Sequence, residues 1–143
     1  MSGLSHDDIA QIREGYRLFK EGNPAFLDRF EPDARIIFPE SLPKGGTYAS
    51  PLEALEFWNN TGQLFEDADP EPEEFVRNRD RLVVLGRFRG RSRATGEQIV
   101  VRFAHAYALT DAEGPMSEQK YTSFELIIDT APVLAALAEE DRG

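Results

Sequence analysis

The sequence contains no cysteine, which excludes disulfides, zinc–thiolate sites, iron–sulfur clusters and cysteine nucleophiles together. Histidine is almost as scarce, because His6 and His105 are the only two, and this leaves little material for a metal site. No apolar run approaches the roughly 18 residues that a membrane-spanning helix needs. The polar, acidic start at 1–8 is also unlike a signal peptide. We therefore expect a cytoplasmic protein with no metal, no cofactor and no membrane span.

The composition favours one folded domain over the whole of residues 1–143, with a core from about 5 to 139. Hydrophobic residues make up 41% of the chain and ten of them are phenylalanine, which is enough for a substantial core. The string RFRGRSR at 87–93 resembles an arginine tract of nucleic-acid-binding proteins. However, its alternation with Phe88 and Gly90 is typical of a strand with one solvated face. A net charge of −10 also disfavours binding to phosphates, so we expect no nucleic-acid partner.

Helical periodicity dominates the first half of the chain, and strand periodicity dominates the second half. Apolar spacing, capping residues and prolines predict helices over Ser5–Lys20, Pro24–Phe30, Pro51–Phe65 and Pro132–Glu139. The third of these should bury a stripe formed by Leu52, Leu55 and Trp58. A short apolar segment bounded by prolines predicts a strand over Ala34–Pro39. Period-two patterns predict strands over Leu82–Arg93, Ile99–Thr110 and Lys120–Asp129. The remaining segments, Leu42–Tyr48, Glu66–Glu74 and Asp111–Gln119, are predicted to be loops, and the second is expected to be a solvated acidic connection.

This order of elements predicts an α+β fold in which helices cover one face of a bent antiparallel sheet. Long strands that wrap around a helix commonly leave a cleft between the two layers. Small ligands bind in such clefts.

His105 is the most informative single residue for chemistry. Strand alternation places it on the apolar face with Val101, Phe103, Tyr107 and Leu109. Burial there should depress the pKa of the imidazole and leave it neutral and able to exchange a proton. The alternative is a buried structural histidine that is hydrogen-bonded to a backbone carbonyl.

Asp129 is the second candidate, because it follows the apolar residues Leu126, Ile127 and Ile128. A carboxyl group among apolar neighbours should have a raised pKa, as a general acid or base requires. The alternative is that Asp129 simply caps the final helix. The spacing slightly favours the cap.

The sequence lacks the motifs of several catalytic mechanisms. There is no Gly-x-Ser-x-Gly nucleophile elbow, no phosphate-binding loop and no dinucleotide fingerprint. One histidine and one carboxylate suffice for cofactor-free removal and return of a proton beside a carbonyl.

Five segments together resemble the SnoaL-like polyketide cyclases of the nuclear-transport-factor-two-like and ketosteroid-isomerase-like superfamily. They are FEPDARIIFP at 30–39, LPKGGTY at 42–48, the helix at 51–58, RFAHAY at 102–107 and FELIIDTAPVLAAL at 124–137. The resemblance implies a cone-shaped fold of the cystatin-like or ketosteroid-isomerase-like kind, in which a curved antiparallel or mixed sheet wraps around N-terminal helices. It also implies a hydrophobic pocket and a homodimer formed through the outer sheet face.

The same resemblance implies catalytic roles for Asp129, as acid and base, and for His105, as its helper. The leading hypothesis is an isomerase or cyclase that acts on a small apolar carbonyl compound. Its substrate would contact Tyr16, Phe38, Tyr48, Trp58 and Tyr107. The alternative is a non-catalytic binding protein for a small hydrophobic molecule, because this chain has Leu126-Ile127 where many relatives have a Glu-Tyr pair. An interaction domain that works through its sheet face is a third option.

Overall fold

The computed structural model describes residues 3–138, and this range contains three α-helices and six β-strands. The helices are α1 (His6–Lys20), α2 (Pro51–Leu64) and α3 (Thr130–Leu137). The strands are β1 (Phe30–Phe38), β2 (Gly46–Tyr48), β3 (Phe65–Asn78), β4 (Arg81–Ser92), β5 (Gln98–Leu109) and β6 (Tyr121–Ile128). Short 3-10 helices occupy Pro24–Arg29 and Met116–Glu118. None of the helices between residues 3 and 138 has the length and hydropathy needed to cross a bilayer.

The six strands form one curled, unclosed sheet in the order β2-β1-β6-β5-β4-β3. Strands β3 to β6 follow one another as an antiparallel meander, whereas β6 also pairs in parallel with β1. The concave face of the sheet packs against α1 and α2. The predicted α+β class is therefore confirmed.

Helix α1 begins as its sequence predicts. The Ser5 hydroxyl accepts a hydrogen bond from the Asp8 backbone N–H, and the Asp8 carboxylate accepts one from the Ser5 N–H, each at 3.0 Å. This reciprocal capping box satisfies two backbone donors that the helix itself cannot satisfy. Inside the helix, Ile12 and Tyr16 are buried one turn apart, and so they fix the face that meets the sheet.

The buried face of α2 differs from the prediction. Leu52 is 70% exposed, while Pro51, Ala54 and Phe57 are buried. The buried stripe instead contains Ala54, which is fully buried, and Phe57, whose ring stacks on Phe38 of β1 with centroids 3.7 Å apart. Leu55 and Trp58, the other two members of the predicted stripe, are partly buried.

The acidic segment 66–74 is part of strand β3 and not a solvated connection. β3 is the last strand at one edge of the sheet, and an edge strand tolerates Pro70 and Pro72 because its outer N–H groups need no partner. The sequence prediction was wrong here because it treated the prolines and acidic residues as loop formers. It also missed the three-residue strand β2, and Glu139 of the predicted C-terminal helix lies outside the described residues.

Candidate functional site

A cavity of about 700 Å³ lies between the concave face of the sheet and the helices. Its walls are mainly apolar and aromatic. Helix α1 contributes Tyr16 and Phe19, helix α2 contributes Phe57 and Trp58, and the sheet contributes Phe103 and Phe124. A volume of this size, with few polar groups, is typical of a site for a small organic ligand.

Three polar side chains meet at the wall of this cavity. The Tyr16 hydroxyl oxygen lies 2.5 Å from His105 Nδ1 and 3.0 Å from the Tyr107 hydroxyl oxygen. His105 and Tyr107 lie two residues apart on β5 and therefore point to the same face of the sheet, towards Tyr16 on α1. All three residues line the cavity. We call them the Tyr–His–Tyr network.

Aromatic rings surround His105. Its ring lies 4.2 Å from the Phe103 ring and 4.8 Å from the Phe124 ring, measured between centroids. Burial lowers the pKa of His105 to about 3, because the apolar surroundings disfavour the charged imidazolium. His105 is therefore neutral at physiological pH, with one ring nitrogen that donates a hydrogen bond and one that accepts.

The two tyrosines also keep their protons. Burial raises the pKa of both Tyr16 and Tyr107 well above the ordinary value, although the hydrogen bond from Tyr107 lowers that of Tyr16 in part. The Tyr16 hydroxyl has one proton and can accept two hydrogen bonds, so the network has three proton arrangements. In the first, Tyr16 donates to His105 while Tyr107 donates to Tyr16. In the second, His105 donates to Tyr16 while Tyr16 donates to Tyr107, and the Tyr107 proton is free to bind a ligand oxygen. In the third, His105 and Tyr107 both donate to Tyr16, and the Tyr16 proton is free to bind a ligand oxygen.

The expected partner of His105, Asp129, is not among the described residues that line the cavity. Its side chain is exposed and accepts a hydrogen bond from the Ala131 N–H at 3.4 Å, so that it caps helix α3. Phe124 and Ile128 face the cavity, and strand alternation therefore turns Asp129 towards the opposite face. This is the helix cap that the spacing of the sequence slightly favoured. The catalytic role that the resemblance implied for Asp129 stays a prediction.

Four of the five aromatic residues expected in the pocket line the cavity, namely Tyr16, Phe38, Trp58 and Tyr107. Tyr48 is not among its described lining residues. Instead, the Tyr48 hydroxyl donates to the Lys44 carbonyl at 2.5 Å, and its ring packs edge-on against Phe38 from outside.

Sequence reasoning missed the charged lining residues. Lys20, Arg29, Asp67 and Arg93 all line the cavity. Lys20 could have been found, because it follows Tyr16 by four residues and so lies on the same face of α1. Asp67 could not, because a β-bulge with a left-handed backbone (φ 54°) at this residue interrupts the regular pairing of β3 with β4.

No three His, Cys, Asp or Glu side chains within residues 3–138 form a group that could hold a metal ion.

Comparisons with known proteins identify the family. A model of the SnoaL-like domain matches residues 12–114. No curated protein matches the sequence. An NTF2-like protein of unknown function from Burkholderia pseudomallei has a TM-score of 0.79 and 23% identity, over 94% of this chain and 99% of its own. TerC, co-crystallised with polyporic acid, has a TM-score of 0.75 and 25% identity, over 91% of this chain and 97% of its own.

A third similar structure comes from Jannaschia sp. CCS1 and is named among the SnoaL-like polyketide cyclases. It has a TM-score of 0.74 and 15% identity, over 96% of both chains. At such identities the structural matches show the fold, and the family model covers well over half of the chain. The chain therefore belongs to the SnoaL-like domain family and has the NTF2-like, ketosteroid-isomerase-like fold.

Proposed function

We propose that the protein is a cofactor-independent isomerase or cyclase that moves a proton beside the carbonyl group of a small apolar compound. The observation that carries this proposal is the Tyr–His–Tyr network, which places a hydrogen bond of 2.5 Å at the wall of a mainly apolar cavity. Hydrogen-bond donors fixed in an apolar site are suited to an oxygen atom that becomes negative during reaction.

Removal of a proton beside a carbonyl shifts the electron pair onto the carbonyl oxygen as an enolate. In our proposal, the Tyr107 or Tyr16 hydroxyl donates a hydrogen bond to that oxygen. His105 stays neutral and supports the donating tyrosine by donating its own hydrogen bond to the Tyr16 hydroxyl oxygen. The network therefore stabilises the enolate without changing its own charge.

The proton also needs an acceptor, and we propose Asp67 for this role. Among the described residues that line the cavity, Asp67 is the only one with a carboxylate. Its left-handed backbone at a β-bulge is a strained conformation of the kind often retained at functional sites. Return of the proton to a different carbon completes an isomerisation. In a cyclisation, the enolate carbon attacks a second carbonyl, and Asp67 returns the proton to the alkoxide oxygen that this attack forms.

Two relatives support the class of ligand. TerC was co-crystallised with polyporic acid, and the protein from Jannaschia is named among polyketide cyclases. An organic compound of comparable size matches the volume and aromatic lining of the cavity in this chain.

The test is the exchange of the protons beside the carbonyl of β-tetralone in D₂O, followed by proton NMR. We expect the protein to accelerate this exchange. Tyr16→Phe should slow it by about 10²–10³, because one donor to the enolate network is lost. Asp67→Asn should slow it by about 10²–10⁴, because the general base is lost.

Asp129→Asn is the decisive control, since asparagine also caps helices and the fold should be preserved. We expect it to exchange β-tetralone like the parent. If Asp129→Asn abolished exchange and Asp67→Asn did not, the acid–base role would belong to Asp129, as the family resemblance implied.

A second candidate is a non-catalytic binding protein with the same cavity. The observation that favours it is the exposed, helix-capping position of Asp129, which leaves the family's expected acid–base carboxylate outside the cavity. Calorimetric binding of β-tetralone with no acceleration of exchange would support this candidate and contradict the first.

We also propose a homodimer that forms through the convex face of the sheet. This face carries Val100 and Ile127, which are 51% and 54% exposed and lie on neighbouring strands. Exposed aliphatic side chains on one sheet face are favourable sites for association between subunits.

A further inference from the structure

The cavity face of α1 carries a charge as well as a hydroxyl. Tyr16 and Lys20 are four residues apart and both line the cavity. Four residues correspond to a rise of about 6 Å along the helix axis. A ligand that reaches the Tyr16 hydroxyl can therefore place a second polar group beside Lys20 at the other end of a ring system.

The ammonium group of Lys20 has hydrogen-bonding capacity to spare. Its Nζ lies 3.2 Å from Asp69 Oδ1, which is buried and accepts no aligned hydrogen bond from residues 3–138. The Lys20 side chain is 51% exposed. Because an ammonium has three donors, Lys20 can bind a ligand anion without leaving Asp69.

Positive charge exceeds negative charge on the cavity wall. The described lining residues include three cations, Lys20, Arg29 and Arg93, against the single carboxylate of Asp67. Arg29 donates to the Met116 carbonyl and to Gln11. Within residues 3–138, the Arg93 guanidinium makes long contacts, at 3.4 Å to the Gly62 carbonyl oxygen and 3.9 Å to the Glu66 carboxylate. This excess is the opposite of the chain's net charge of −10, and so it is a local property of the cavity.

We propose that the ligand is an anionic ring compound, an aromatic or polycyclic body with one carboxylate, and that Lys20 binds this carboxylate while Tyr16 binds a neutral oxygen. The inference deepens the proposed function, on which it rests for the cavity and for the hydrogen bond from Tyr16. A cationic amine is disfavoured because it would lie among three positive side chains.

The test compares two probes of the same shape, anthracene-2-carboxylate and anthracene-2-carboxamide, by fluorescence titration at low ionic strength. We expect the parent protein to bind the carboxylate about fivefold more tightly than the amide, as a half-exposed ion pair allows. This preference should shrink as salt is added.

Lys20→Met should remove the preference and leave the affinity for the amide unchanged, because methionine keeps an apolar stem of similar length. Lys20→Arg should retain it. Lys44→Met is the matched control, because Lys44 is also half exposed and ion-paired, to Glu56, but is not among the described lining residues. This control should bind both probes like the parent.

Asp69→Asn should have the opposite effect to Lys20→Met. It removes a negative charge beside the Lys20 ammonium that repels a bound anion, and we expect the carboxylate probe to bind more tightly while affinity for the amide stays the same. If the Lys20–Asp69 pair had a structural role instead, both variants would bind both probes more weakly than the parent.

Equal affinity of the parent for the two probes, or an equal loss of both in Lys20→Met, would overturn the proposal. In that case, if Tyr16→Phe bound the amide more weakly than the parent does, the proposed function would still stand. If neither probe bound the parent, the proposal would be overturned and the proposed function would lose the cavity on which it depends.

Discussion

His105 lies among aromatic rings, and its Nδ1 lies within hydrogen-bonding distance of the Tyr16 hydroxyl, so the folded protein holds it in the neutral form. Burial lowers its pKa to about 3 from an ordinary value of 6.5. Between these two values the unfolded chain binds a proton that the folded chain does not. The contribution of His105 to stability is therefore complete above pH 6.5 and is lost progressively as the pH falls towards 3.

We predict that the free energy of unfolding falls by up to about 1.4 kcal/mol per pH unit over this interval because of His105 alone. Urea denaturation at pH 7.5, 6 and 5 measures the slope. His105→Gln cannot take up this proton, so its slope should be shallower than that of the parent. Parallel slopes for the two proteins would contradict the assignment of a depressed pKa.

Single residues also mark how far sequence reasoning reaches. Strand alternation predicted correctly that His105 points inward, because the pattern is local to β5. The contact between Tyr16 and His105 joins residues 89 positions apart, and no local pattern encodes it. For Asp129 the local spacing slightly favoured the helix cap that the structure shows, whereas its catalytic role was implied by the family resemblance and not by a local pattern.

At the scale of elements, β3 is held to the sheet by paired charges and by close backbone contact. Its acidic residues face arginines of β4, with Arg87 3.7 Å from Glu73 and Arg89 3.9 Å from Glu71. These pairs are half exposed, and each adds little stability. The backbone contact is at Gly86 of β4, where an added Cβ atom would lie 2.1 Å from the Glu71 carbonyl oxygen of β3.

Gly86→Ala should therefore destabilise the protein by about 1–3 kcal/mol, because a backbone oxygen would have to move. Thermal unfolding measures the effect. Gly62→Ala, where the added Cβ meets nothing within 4 Å in helix α2, is the matched control and should be neutral or slightly stabilising. Equal melting temperatures for Gly86→Ala and the parent would show that β3 is free to shift away from β4.

The elements that sequence reasoning missed, β3 and β2, share one physical cause. Both depend on a neighbouring strand for their conformation, β3 on β4 and β2 on β1. The helices and the strands β4 to β6 have periodicities of their own and were predicted with small differences at their ends.

For the whole molecule, the proposed dimer can be tested on the convex face of the sheet. Ile127→Asp would place a charge in the centre of the apolar contact, and we predict that it converts a dimer to a monomer in multi-angle light scattering. Leu52→Asp is the control, because Leu52 is 70% exposed on α2, away from that face. A parent protein that is monomeric at high concentration would contradict the proposal.

The parallel pairing of β1 with β6 sets the time at which the molecule can fold during synthesis. β6 lies between β1 and β5, so both of these strands have an unpaired edge until residues 121–128 have left the ribosome. Contacts between such distant segments form slowly, and unpaired edges favour aggregation. A nascent chain that stalls before β6 would therefore present two such edges, and the cavity would still lack the wall that β6 provides.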